Sequence, residues 1–139
     1  SKKVNELDLN GEWKIYECAE KFEWSGITVK NDTLTISYGS PLEIVATKNK
    51  ISNDTIAVNY AYGAGTIRMM NIVDDMRDKV DYEIPIAYIL PKSENHFNFV
   101  WNGISVKGQE YKWLDYLDDE IYWGERAQEF EYEVIFVRE

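Results

Sequence analysis

Few of the 139 residues have the type and spacing that chemistry needs. The single histidine, His96, follows Pro91-Lys92-Ser93-Glu94-Asn95, which puts it in or beside a turn. One imidazole is a poor metal site, because zinc takes three or four protein ligands. As a general base it would need an oriented nucleophile, and Ser93 lies only three residues away in the same loop. His96 therefore reads as an exposed loop residue. Cys18 is the only cysteine, so neither a disulfide framework nor a cysteine zinc site can be built. It reads as a small hydrophobe or a partly exposed thiol. Asp74, Asp75 and Asp78 form one acidic cluster, and Asp115, Asp118, Asp119 and Glu120 another. Hard cations favour such oxygens, but neither cluster has the Asp-x-Asp-x-Asp-Gly spacing of a calcium loop. Asp118 and Asp119 would point to opposite sides of a strand, which spoils them as an acid–base pair for glycoside hydrolysis. Both clusters read as solvated turns. The chain also lacks a Gly-rich phosphate loop and a Gly-x-Ser-x-Gly elbow. No catalytic residue, metal or cofactor is expected, and the protein is read as not an enzyme.

The aromatic residues remain, and they are abundant: 5 Trp, 10 Tyr and 5 Phe. Tyr and Trp can line an apolar pocket while offering a polar tip. Whether they do so depends on the elements that carry them.

Those elements are short. Apolar residues alternate with polar ones in Trp13 to Tyr16, Leu34 to Tyr38, Ile56 to Tyr62, Phe97 to Trp101 and Phe130 to Phe136. Ile67 to Val73 and Ile84 to Leu90 are less regular apolar runs. Tyr111 with Trp113, and Ile121 with Trp123, add two short candidates. This gives eight or nine strands by period. Asn31-Asp32, Gly39-Ser40-Pro41, Asn53-Asp54, Gly63-Ala64-Gly65, Pro91, Asn102-Gly103 and Gly108 separate them. Asn102-Gly103 predicts a type I′ hairpin joining Phe97–Trp101 to Ile104–Val106. Helix is scarce: Asn71 to Val80 fits a short one, and Trp113 to Ile121 fits either helix or strand. Asn31-Asp32-Thr33-Leu34 echoes Asn53-Asp54-Thr55-Ile56, as a meander reusing one hairpin recipe would. Both copies match the Asn-x-Thr glycosylation pattern, which matters only in a secreted eukaryotic protein.

Charge bounds the partners. The net charge is −10. Residues 1–70 hold 8 basic against 9 acidic side chains, and residues 71–139 hold 7 against 16. Such a chain repels phosphate backbones and anionic membrane surfaces, so nucleic acid is not an expected partner. No apolar stretch approaches a membrane span. The opening Ser-Lys-Lys-Val-Asn-Glu-Leu-Asp run reads as a polar tether over residues 1–8, ahead of one domain over 9–139. It would suit a lipoprotein cut just after a lipidated cysteine. An N-terminal lipid anchor is then the expected membrane link, and the location periplasmic or outer-membrane.

A meander of this many strands has two raw edges unless it closes. The final strand is apolar on both faces at Ile135 and Val137, so it needs cover. Closure onto the first strand supplies it. Trp13 and Ile15 share a face, as do Phe130, Tyr132, Val134, Phe136 and Arg138. If the two strands are neighbours, the Arg138 guanidinium can lie over the Trp13 indole, worth ~0.5–2 kcal/mol. Asn10-Gly11-Glu12-Trp13, with Gly11 and Trp13 forming a Gly-x-Trp pattern, and Arg138 at the end of the last strand together resemble the lipocalin and wider calycin signature. In that signature a first-strand Trp packs under a late Arg. The chain resembles the smaller lipocalin-like proteins found as bacterial lipoproteins.

The resemblance implies an all-β, up-and-down antiparallel barrel of about eight strands. It also implies non-enzymatic binding of a small, mostly apolar or aromatic molecule at the open end. Inward parity nominates Tyr60, Tyr88, Phe99, Trp101, Trp113 and Tyr132 as the ligand wall, with Tyr38, Phe97 and Phe136 in or near the lumen. The alternative is a side-chain-filled barrel serving as a protein-interaction module through an acidic face.

Overall fold

The computed structural model describes residues 7–17, 26–37, 43–64, 77–110, 112–113 and 132–139. Eight strands close into a barrel. They are β1 (Gly11–Glu17), β2 (Gly26–Lys30), β3 (Thr33–Ser37), β4 (Glu43–Lys50), β5 (Ile56–Ala64), β6 (Ala87–Ser93), β7 (His96–Trp101) and β10 (Tyr132–Arg138). Two shorter strands, β8 (Ile104–Ser105) and β9 (Lys112–Trp113), pair with each other outside that closure. Every barrel strand pairs antiparallel with its neighbours, in the order β1-β10-β7-β6-β5-β4-β3-β2. This is the all-β, antiparallel closed barrel of about eight strands that the sequence predicts.

Closure has the physical cause given above. β10 lies between β1 and β7, so both its edges are paired. The inner face follows period 2. Ile27 and Val29, Leu34 and Ile36, Phe97, Phe99 and Trp101, and Val134 and Phe136 are all buried, while the residues between them are half-buried or exposed. Each buried Val, Leu, Ile or Phe contributes about 1.5–3 kcal/mol of transfer free energy.

Two barrel strands, β2 and β4, escape the sequence reading. Gly26-Ile27-Thr28-Val29-Lys30 offers only two apolar positions. In β4, Ile44, Val45 and Ala46 are consecutive and all buried, which hides the alternation. The turn between β2 and β3 needs two residues, and Asn31 there takes φ 57°, a left-handed conformation that Asn tolerates.

The predicted Asn102-Gly103 hairpin does not form. Both edges of β7 are already occupied, by β6 and β10, so Ile104–Ser105 has no edge to join and pairs with β9 instead. Only Gly103 of the two takes positive φ, at 82°. Asn102 is pinned by its amide N–H to Ile86 O at 2.7 Å and by its Nδ2 to Pro85 O at 2.8 Å. Pro91 does not end its strand: β6 runs on to Ser93, past the end of β5, where only β7 pairs with it. A bulge at Ala61 sets Val45 against Tyr62 and Ala46 against Tyr60. Tyr62 is thereby flipped outward, 58% exposed, although it continues the Ile56-Val58-Tyr60 alternation in sequence.

The runs Ile67 to Val73 and Ile121 to Trp123 lie largely or wholly outside the described residues, as does most of the helix predicted over Asn71 to Val80. Val80 itself bridges to Val106.

Candidate functional site

The barrel has two unlike ends. At one, β1 begins, β10 finishes, and the turns after β2, β4 and β6 gather. At the other, the strand ends Glu17, Ser37, Ala64 and Trp101 come together.

The first end is sealed by Arg138. Trp13 and Arg138 are direct cross-strand partners, and the guanidinium carbon stands 4.4 Å from the centroid of the Trp13 ring. The fork donates from Nη1 to Asn10 O at 2.6 Å, from Nη2 to Asp8 O at 2.7 Å and to Glu94 O at 2.8 Å, and from Nε to Glu94 O at 3.0 Å. Trp13 Nε1 donates to Leu9 O at 2.8 Å. A single cation thus ties the N-terminal segment, the β6–β7 turn and the C-terminal strand together. Leu9 is buried beneath it and Leu7 packs on the same core. Leu7 and Asp8, which the sequence puts in the tether, therefore take part in the closure. Gly11 is required here: its φ is +131°, and a Cβ would sit 2.9 Å from Arg138 Nη1.

Above this plug the lumen is stacked with rings. Trp13 and Phe97 have centroids 4.6 Å apart, Phe97 and Phe136 5.4 Å, Phe99 and Phe136 5.7 Å, and Phe99 and Trp101 6.4 Å. These are ordinary attractive ring distances.

Toward the far end the wall changes. Tyr60 lies opposite Ala46, Trp101 lies opposite Ala87, and Gly63 lies opposite Ile44. Tyr60 and Trp101 thus each have a small side chain beside them on a neighbouring strand. Tyr82 packs its ring 5.7 Å from Tyr60 and donates its hydroxyl to Arg77 O at 2.6 Å. The apolar core continues past the barrel into Val80, Ile86 and Ile104. Asp81 N donates to Ser105 O and Lys107 N to Lys79 O, each at 2.8 Å, so residues 79–81 add a third strand-like edge to the β8–β9 sheet.

Of the proposed wall residues, Tyr60, Phe99 and Trp101 come together inside the barrel, each buried. Tyr132 is the cross-strand partner of Trp101. Tyr88 is a correction: it alternates with fully buried Ala87 and Ile89, so its position is on the outer face, opposite Ala57 and Val100. Trp113 belongs to β9, outside the barrel closure. The side chains of Trp113 and Tyr132, and all of Tyr38 and Cys18, lie outside the described residues. His96 opens β7 beside the Glu94-Asn95 turn, half-buried and opposite Val137 and Ser93.

Sequence reasoning missed a polar group at the far end. Lys112 Nζ donates to Asn102 O at 3.0 Å and to Asn102 Oδ1 at 3.1 Å. Burial of this ammonium pulls its pKa below the usual lysine range. Ser105 is the cross-strand partner of Lys112, and its hydroxyl is buried with no hydrogen-bond partner among the described residues. The sequence signal was ambiguous: Asn102 reads as a turn and Lys112 as a polar position between two aromatics.

Among the described residues no group of three or more His, Cys, Asp or Glu side chains is placed to hold a metal, and no helix is long and apolar enough to cross a membrane. Comparison of the chain with protein-family models, curated proteins and solved structures gives no match.

Proposed function

We propose that this protein is a non-enzymatic, lipocalin-like binding protein of the calycin type. It holds a small, mostly apolar or aromatic molecule at the end of the barrel remote from Arg138. One observation carries the reading: the rings of Trp13, Phe97, Phe136 and Phe99 fill the Arg138 half of the lumen, while Tyr60 and Trp101 in the other half have Ala46 and Ala87 beside them on the neighbouring strands. Aromatic walls with small neighbours suit a flat or apolar guest. The bound molecule would lie against Tyr60, Trp101 and the upper edge of Phe99, with Tyr132 at the rim.

The location follows the same reading. The N-terminal segment enters at the Arg138 end, where Asp8 and Asn10 are held. A lipid anchor preceding it would fix that end to a membrane and leave the far end facing away. An extracytoplasmic lipoprotein is the form we propose.

The test is titration with an uncharged apolar fluorophore such as N-phenyl-1-naphthylamine, following both probe and tryptophan emission. Saturable one-to-one binding supports the reading, and linear, non-saturating emission contradicts it. A second reading, a protein-interaction module, draws on a different observation: Tyr16 is 72% and Tyr62 58% exposed on the outer wall. Loss of a protein partner on Tyr16→Ser with Tyr62→Ser, without apolar binding by the wild type, would favour it.

A further inference from the structure

The barrel wall parts beside β5. That strand pairs with β4 from Ile56 to Ala64 around its bulge, but with β6 only at Ile56, Ala57 and Val58. Beyond Val58 no strand among the described residues continues the β6 ladder, and residues 79–86 cross there instead. Backbone hydrogen bonds anchor this segment at its two ends. At one, Asp81 N donates to Ser105 O and Lys107 N to Lys79 O; at the other, Ile86 N donates to Val58 O and Asn102 N to Ile86 O. Between the anchors Tyr82, Glu83 and Ile84 form a turn bonded to its own base, with Glu83 N donating to Asp81 Oδ1 at 3.2 Å and Ile84 N to Asp81 O at 3.4 Å. Side chains hold this turn to β5: Asn59 Nδ2 donates to Tyr82 O at 3.0 Å, and the Tyr82 ring lies 5.7 Å from that of Tyr60. Val80 and Ile86 at the anchors are fully buried, whereas Tyr82 is half-buried and Glu83 and Ile84 are exposed.

We propose that the Tyr82-Glu83-Ile84 turn is a gate over the apolar site, moving between its anchors at Asp81 and Ile86, with Asn59 as the latch. The proposal rests on the binding reading above and adds the route by which the ligand enters and leaves. Tyr82 covers Tyr60, a wall residue of the proposed site, so lifting the turn uncovers that ring from the side of the barrel. The motion is local: the buried anchors and their backbone bonds stay in place while the turn between them swings. The Tyr82 hydroxyl, donating to Arg77 O at 2.6 Å, is a second catch that holds the ring down. Asn59 lies between the inner residues Val58 and Tyr60, so its side chain is on the outer side of β5 and latches the gate without lining the lumen. Exposed Ile84 gives an approaching apolar molecule its first contact. A latch that touches only the gate speeds entry and exit alike when it is removed, and leaves the affinity almost unchanged.

The experiment is stopped-flow mixing with N-phenyl-1-naphthylamine, reading association and dissociation rates separately. Asn59→Ala removes the latch and should raise both rates at least fivefold while Kd stays within about twofold. Tyr82→Phe keeps the ring and removes the catch on Arg77 O, and should raise both rates by a smaller factor. Thr47→Ala, at the cross-strand neighbour of Asn59 on β4, should leave both rates as they are. A rise in dissociation alone, with Kd weakened in proportion, makes Asn59 a support of the binding wall and overturns the gate. Unchanged rates in both Asn59→Ala and Tyr82→Phe, with saturable binding by the wild type, overturn the gate while leaving apolar binding standing. Absence of saturable binding by the wild type overturns both. Should Asn59→Ala fail to fold, Asn59→Asp decides in its place, since a carboxylate of the same shape has no hydrogen to donate to Tyr82 O.

Discussion

Arg138 and Trp13, near opposite ends of the chain, face each other across the β1–β10 pair, with the guanidinium 4.4 Å above the indole. The contact is more than a ring stacked on a charge. The same guanidinium satisfies three backbone carbonyls from two other segments, so its loss exposes Asp8 O, Asn10 O and Glu94 O together.

Arg138→Lys should therefore destabilise the barrel by about 2–3 kcal/mol, because an ammonium cannot reproduce the planar fork. Urea unfolding measures it. A change under about 0.5 kcal/mol would show that the carbonyls are satisfied by solvent and that the cation is ornamental.

Gly11→Ala meets two obstacles, a φ of +131° and a Cβ 2.9 Å from Arg138 Nη1. It should cost about 2–3 kcal/mol. Gly108→Ala is the control: its φ is +70° but a Cβ meets nothing within 4 Å, so only about 1 kcal/mol is expected. Equal losses at the two glycines would refute the role of the Arg138 contact.

Asp54 is fully exposed, yet hydrogen bonds from Ser52 Oγ at 2.8 Å and Thr55 Oγ1 at 3.0 Å hold its carboxyl below the usual carboxylate range. A lowered carboxyl pKa contributes stability that is fully present above the unfolded value of about 3.9 and is lost as pH falls through the folded value. The stability difference between wild type and Asp54→Ala should be constant near neutrality and shrink toward zero in acid. A difference that grows on acidification would reverse the sign and contradict the assignment.

Trp101→Ala should weaken apolar-probe binding by about tenfold, the equivalent of about 1.4 kcal/mol. Tyr88→Ala, on the outer face, should change it less than twofold. Probe titrations of both variants make the comparison. A larger effect at Tyr88 would place the bound molecule outside the barrel.

The closure was legible in the sequence because its determinants are local and rare. Gly11-Glu12-Trp13 and the late Arg138 identify the two strands that must meet, and the doubly apolar final strand states that it needs a neighbour. The list of strands was less legible. β2 offers too few apolar positions to show a period, and the consecutive burial of Ile44, Val45 and Ala46 in β4 erases one. Parity misled at Tyr88, because Ala87, not the aromatic, is the inner residue, and the bulge at Ala61 that turns Tyr62 outward is invisible to alternation. The Asn102-Gly103 turn failed for a nonlocal reason: the strand it was to join already had two partners. The Asn102–Lys112–Ser105 group depends on that same failure, since only a chain leaving the barrel can bring β8 and β9 together at its rim.

The account stands or falls on whether the far half of the lumen admits a guest. The direct measurement is titration of the wild type and of Ala46→Leu with N-phenyl-1-naphthylamine, alongside the thermal unfolding midpoint of each. Ala46 is fully buried opposite Tyr60, so the added side chain enters the proposed space. The account predicts saturable binding by the wild type, and binding weakened more than tenfold in a variant that keeps a cooperative unfolding transition. Saturable binding unaffected by Ala46→Leu, or no saturable binding by the wild type, would contradict it.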